Sequence, residues 1–79
     1  EQVRLVYQNI KTVLEECGMG FENLAKITVY LTSPDFVEIH RTIQKEVLAG
    51  IVPASTLLIV SRLARPQLLV EVEAIAAID

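Results

Sequence analysis

Two acidic side chains near the end of the chain are the first candidates for chemistry. Glu71 and Glu73 stand two residues apart in the apolar run LLVEVEAIAAID, residues 68–79. Side chains alternate across a β-strand, so a strand here places both carboxylates on one face. Paired carboxylates suit proton transfer to or from a substrate. They equally suit the water-facing side of a terminal strand, where acids discourage pairing at a sheet edge, and both interpretations stay open.

Three further polar side chains are candidates for binding a ligand. Ser55 and Thr56 follow a bend at Pro53, although hydroxyls at such bends commonly satisfy backbone groups instead. His40 lies beside the apolar stripe of a predicted helix and is expected at the surface or at the boundary of the core. The sequence has no Gly-rich phosphate loop, nucleophile elbow or cluster of metal ligands, so no metal site is predicted.

Two helices and three strands must position these side chains. Apolar residues at helical spacing predict the helices, and alternating β-branched or aromatic residues predict the strands. Gly18 is expected to end the first helix, and Ser33 with Pro34 to begin the second. The predicted order is helix 3–17, strand 24–32, helix 34–47, strand 56–63 and strand 68–79.

The order of these elements predicts an α+β domain with a mixed sheet. A strand, a full helix and a second strand imply a parallel pair joined by a right-handed crossover. The short connection ARPQ, residues 64–67, implies an antiparallel hairpin between the last two strands. Two helices then cover one face of the sheet. The other face, which we expect to carry Glu71 and Glu73, still needs a cover.

The composition indicates one small domain that associates with other copies. Hydrophobic residues make up 52% of the 79 residues, more than one small core hides. Seven basic residues stand against ten acidic ones, and this balance disfavours nucleic-acid binding. No stretch has the length and apolarity of a membrane span. The one cysteine, Cys17, is expected in the core on the first helix, and it fits a reducing compartment such as the cytoplasm.

Several segments of the chain together resemble one known family. They are the helix EQVRLVYQNIKTVLEECG, the strand NLAKITVYLTSPDF, the bend VPAS, the segment VSRL and the strand VEVEAIA. In this order and at these spacings they resemble the C-terminal part of the Rid/YjgF family of reactive-intermediate deaminases, also labelled endoribonuclease L-PSP. The resemblance covers residues 1–79 as a single domain. The family's N-terminal β-hairpin region is absent, so we expect the natural protein to begin earlier.

The resemblance implies a chorismate-mutase-like α+β fold and a homotrimer with ligand clefts between its subunits. It also implies hydrolysis of a small imine or enamine to an oxo acid and ammonia, with no cofactor and no metal. Glu71 matches the family's glutamate that positions the attacking water, a general acid and base role. Ser55, Thr56 and backbone amides would hold the substrate.

Two positions depart from the family's pattern. The family has an arginine after Pro-Ala that clamps the substrate carboxylate, and this chain has Ser55 there. A serine offers one neutral hydrogen bond in place of two charge-assisted ones, so 2-imino acids held by their carboxylate are expected to be poor substrates. The asparagine of the family's second helix corresponds to His40. These departures leave open a second function, a non-catalytic trimer that binds a small metabolite or has a regulatory role. The family label adds a ribonuclease as the last alternative.

Overall fold

Two helices pack on one face of a three-stranded sheet in the computed structural model, which describes residues 2–78. The predicted α+β class and the element order α-β-α-β-β are confirmed. The elements are α1 (Gln2–Glu16), β1 (Leu24–Leu31), α2 (Val37–Leu48), β2 (Ala54–Ile59) and β3 (Val70–Ala76), with 3-10 turns at Phe21–Asn23 and Pro34–Phe36. Within residues 2–78, no helix is long and apolar enough to cross a membrane.

The strand order of the sheet is β2-β1-β3. β1 and β2 are parallel, as the helical crossover between them predicts. β3 runs antiparallel, but its partner is β1 and not β2. The predicted terminal hairpin is therefore wrong, because β3 occupies the far edge of the sheet.

The connection from β2 to β3 explains this placement. The N–H of Val60 donates to the carbonyl of Leu31 at 2.8 Å, and the N–H of Thr32 donates to the carbonyl of Leu69 at 3.2 Å. The chain thus leaves one side of β1, passes its end and returns along the other side. β1 carries fully buried Ile27, Val29 and Leu31. The most buried strand lies in the middle, where both of its edges find hydrogen-bonding partners.

The same connection corrects the predicted bounds of the second strand. β2 ends at Ile59, because β1 ends opposite it and offers no further partners. Arg62, which was expected on a strand, lies in the connection instead. Its side chain donates hydrogen bonds to the carbonyls of Leu63 and Ala64 at 3.2 and 3.4 Å and so shapes the turn.

The helix ends follow local sequence signals. Gly18 has φ +75°, and the N–H of Met19 donates to the carbonyl of Leu14 at 2.8 Å, which closes α1 as predicted. Cys17 lies in this turn after the last helical residue, so it is exposed and the prediction of a core position is wrong. Ser33 caps a 3-10 turn, with its Oγ accepting from the N–H of Asp35 at 3.1 Å. The predicted start of the second helix at Pro34 is therefore wrong, because this turn comes first and α2 begins at Val37.

The core lies between the helices and the sheet, and it contains one polar side chain. The buried apolar residues are Val3, Tyr7, Leu14, Leu24, Ile27, Val29, Leu31, Ile43, Leu48 and Val70. His40 is buried among them with 1% exposure, so the expectation of a surface or boundary position is wrong. The stripe of α2 uses His40 rather than Ile39, which is exposed. Both choices fit a spacing of three to four residues from Phe36 and Ile43, and only packing separates them.

Candidate functional site

Both acids of β3 lie on the sheet face that the helices leave open. Glu71 is in register with Tyr30, and Glu73 with Thr28. The Tyr30 hydroxyl donates a 2.8 Å hydrogen bond to Oε1 of Glu73. This bond is the largest of the effects that raise the pKa of Tyr30, and desolvation and the negative charges of Glu73 and Glu71 add to it. The open face therefore holds an exposed array of one phenol and two carboxylates.

The two hydroxyl candidates of β2 point to opposite faces of the sheet. Thr56 is in register with Thr28 and therefore lies on the open face. Ser55 is in register with Ile27, which is fully buried under the helices. Neighbours in register share a face, so Ser55 lies on the helix side of this edge strand.

A cavity of about 590 Å³ opens beside Ser55, between α2 and the segment that leads into β2. Its lining combines apolar side chains with two cations, Arg41 and Lys45. The full lining is Arg41, Gln44, Lys45, Leu48, Gly50, Ile51, Val52, Pro53 and Ser55. The cavity contains no acidic side chain in this lining, so an anionic group is electrostatically favoured there.

His40 contacts a tyrosine in the core. Its Nε2 and the hydroxyl of Tyr7 share a hydrogen bond of 2.8 Å, and its buried Nδ1 has no partner among residues 2–78. Burial and, to a smaller extent, the charge of Arg41 lower the pKa of His40. Burial also raises the pKa of Tyr7. The pair is therefore neutral near pH 7, and it links α1 to α2.

The four predicted site residues do not meet within one chain. Glu71 and Thr56 share the open face, but β1 lies between their strands, a separation of about 10 Å. Ser55 lies on the opposite face, and His40 lies inside the core. Within residues 2–78, no group of three or more His, Cys, Asp and Glu side chains could hold a metal ion.

Sequence reasoning missed the two cations that border Ser55. Arg41 and Lys45 are four residues apart in RTIQK, which places them on one face of α2. This repeated positive charge beside a predicted apolar stripe was a usable signal. The sequence contains no signal that these cations lie near Ser55, because α2 and the edge strand β2 come together only in the folded chain.

The family model of endoribonuclease L-PSP matches residues 1–78. The chain belongs to this family. The resemblance to Rid/YjgF proteins is thereby confirmed. A RutC family protein of Pyrococcus abyssi is 39% identical over 77 residues, which are 96% of this chain and 59% of that protein.

Solved structures of the family have the same fold. A Rid family protein of unknown function from Yersinia pestis superposes with a TM-score of 0.90 at 30% identity, over 96% of this chain and 60% of that one. E. coli TdcF, solved with bound serine, gives a TM-score of 0.92 at 25% identity, over 99% of this chain and 63% of that one. The predicted chorismate-mutase-like α+β fold is confirmed. The chain spans between 59% and 63% of the length of these relatives.

Proposed function

We propose that the protein hydrolyses small imines, or the enamines that tautomerise to them, to oxo compounds and ammonia. Water adds to the C=N carbon: a C–O bond forms, the C=N π bond breaks, and one water proton passes to nitrogen, which gives a carbinolamine. The second proton then moves from the hydroxyl to nitrogen, the C–N bond breaks, and ammonia leaves as the C=O bond forms. The reaction consumes one water and needs no oxidant or reductant. Its requirements are a general base, an oriented water and a hold on the substrate.

The observation that carries this proposal is the position of Glu71. Its carboxylate is exposed on the open sheet face, in register with Tyr30 and two residues from Glu73. The carboxylate can accept a proton from water and return it to the departing nitrogen. Pairing with β1 fixes the backbone of β3 and therefore the face from which this group projects.

We further propose that the site forms between copies of the chain in a homotrimer. Ser55 and Glu71 lie on opposite faces of one sheet, so a cleft that uses both must take them from two copies. The open face also exposes Leu58 and Ile75, with 45% and 61% of their surface accessible. Burying these side chains against another copy favours association. The exposed thiol of Cys17 favours a reducing compartment such as the cytoplasm.

A non-catalytic module that binds a small metabolite is the second candidate. It is favoured by Ser55, which stands where the family's arginine clamps the substrate carboxylate. It is also favoured by E. coli TdcF, a relative whose structure holds serine. TdcF can therefore hold an amino acid, and this chain can bind a small metabolite without turnover.

A ribonuclease is the candidate that the described residues support least. The chain has fewer basic than acidic residues, seven against ten, which disfavours contact with a phosphate backbone. Its one histidine is His40, which is buried against Tyr7 and cannot reach a nucleotide. Proton transfer at a ribose hydroxyl then lacks its usual histidine.

Turnover by Glu71→Gln separates the enzyme from the binding module. In the full-length protein, hydrolysis of 2-iminopropanoate, formed from 2-aminoacrylate, is followed by ammonia release. We expect kcat to fall by about 10²–10⁴-fold, the usual share of general acid and base catalysis. Circular dichroism checks that the fold is kept, and Glu15→Gln, on the exposed side of α1, controls for the loss of one negative charge.

Equal turnover by Glu71→Gln and the parent protein would remove Glu71 from the mechanism. If the protein binds the product oxo acid but turns over none of the imines tested, small or bulky, the non-catalytic binding module is the correct function and the enzyme is not. Either result contradicts the proposed hydrolysis.

A further inference from the structure

We infer that Arg41 and Lys45 bind the carboxylate of the substrate in the cavity beside Ser55. The inference rests on the proposed function, and it narrows the small imine to a 2-imino acid and the product to its 2-oxo acid. It adds the residues that replace the missing arginine. Ser55 belongs to β2, whereas the two cations belong to α2.

The charge distribution of the cavity is the first support. Arg41 and Lys45 are the charged members of its lining, in a chain whose net charge is −3. Acidic side chains are therefore more frequent in the chain than basic ones, yet none of those among residues 2–78 lines the cavity. A carboxylate entering the cavity meets two cations and no repulsion from a lining carboxylate.

The spacing of the two cations is the second support. Like charges four residues apart on one helix face repel each other, which is unfavourable for the helix. Within residues 2–78, Lys45 forms no ion pair, and Arg41 approaches only Glu38, at 3.5 Å. Glu38 is 85% exposed, so this contact is strongly screened by water and leaves the guanidinium available. An anion bound between Arg41 and Lys45 relieves the repulsion.

The neighbouring hydroxyl is the third support. Ser55 lines the same cavity and can donate a neutral hydrogen bond to the ligand that the two cations attract. β2 is an edge strand, so the cavity lies where another copy of the chain can approach. Glu71 of that copy then meets a substrate whose carboxylate is already held. The carboxylate and the reacting carbon thus contact different subunits.

Arg41 is the residue that decides the inference. Lys45 lies in the last turn of α2, where a cation also offsets the negative end of the helix dipole, so its presence has a second explanation. Arg41 lies a turn earlier, where the dipole does not require a cation. Its planar fork also matches a carboxylate with two hydrogen bonds.

The test is an NMR titration of the full-length protein with pyruvate, a 2-oxo acid that binds without turnover. We expect pyruvate to shift the amide signals of residues 41–55 and to bind about tenfold more weakly to Arg41→Gln. The matched control is Arg65→Gln, which removes the same charge from the exposed connection before β3 and leaves the affinity within twofold. Added salt weakens binding to the parent more than binding to Arg41→Gln, because the lost contact is ionic.

Equal affinities of Arg41→Gln and the parent, or no binding of pyruvate to the parent, would overturn the inference. Failure of the proposed function gives a different result. If Glu71→Gln hydrolyses imines as fast as the parent while Arg41→Gln still loses pyruvate, the carboxylate site stands and the assignment of Glu71 falls. If Arg41→Gln binds pyruvate normally while Glu71→Gln loses turnover, the hydrolase stands and this inference falls.

Discussion

The hydroxyl of Tyr7 and Nε2 of His40 lie 2.8 Å apart between α1 and α2, and both side chains are almost completely buried. The hydrogen bond satisfies one nitrogen of the imidazole and leaves Nδ1 without a partner among residues 2–78. A buried polar pair of this kind stabilises the core only while both members are present and neutral. Stability of the fold therefore reports on this contact.

Tyr7→Phe is expected to lower the free energy of unfolding by about 1–3 kcal/mol, the cost of leaving a buried polar atom without its partner. Urea denaturation followed by circular dichroism measures it. The double variant Tyr7→Phe with His40→Leu removes both polar groups and should recover part of the loss. Independent, additive effects of the two substitutions would contradict the contact as an energetic unit.

Stability is expected to fall as the pH drops below about 6.5, the ordinary pKa of histidine. Burial lowers the pKa of His40 in the folded protein, so between the two pKa values the unfolded chain binds more protons. The free energy of unfolding then falls as the pH falls from 6.5 towards the folded-state pKa of His40. Below that pKa the histidine is protonated in both states and no longer adds to the slope. Urea denaturation at a series of pH values gives the slope.

His40→Asn is the control for this slope, because asparagine does not titrate. Its unfolding free energy should be flatter than that of the parent just below pH 6.5. A further loss of stability at lower pH is caused by the protonation of carboxylates such as Glu46, whose pKa is lowered by its hydrogen bond with Arg4. The same slope in the parent and in His40→Asn would contradict a neutral, buried histidine.

Glu73→Ala is expected to lower the pKa of Tyr30. The carboxylate accepts a hydrogen bond from the neutral phenol, and this bond is the main cause of the raised pKa. Phenolate absorbance during a pH titration of residues 1–79 measures it, in a Tyr7→Phe background where Tyr30 is the one tyrosine left among these residues. Glu71→Ala acts through its charge alone and should lower the pKa less. Equal shifts for the two variants would contradict the hydrogen bond.

Ser55→Arg is expected to raise kcat/KM for 2-iminopropanoate by about tenfold, because a guanidinium adds charge-assisted hydrogen bonds to the substrate carboxylate. Ammonia release by the full-length protein measures it. In an Arg41→Gln background the gain should be larger, since the new cation replaces the lost one. Ser61→Arg, in the exposed connection after β2, is the matched control. No gain over that control would show that the cavity beside Ser55 does not hold the carboxylate.

Sequence alone determined the type and order of the elements and the common face of the two acids. Helical spacing over residues 3–17, the stop at Gly18 and the cap at Ser33 are local signals, and each acts within a few residues of chain. The period of two in a strand is equally local. It placed Glu71 and Glu73 on one face, whichever strand became their neighbour.

Tertiary structure decided everything that depends on which distant segments meet. The short ARPQ segment suggested a hairpin, but β1 is the most buried strand and takes partners on both edges, so β3 pairs with β1. His40 and Ile39 both fit the stripe of α2, and contact with Tyr7 selected His40 for the core. The register with β1 put Ser55 on the helix side, beside Arg41 and away from Glu71. These choices were made by packing and strand pairing between residues far apart in sequence, which local periodicity does not encode.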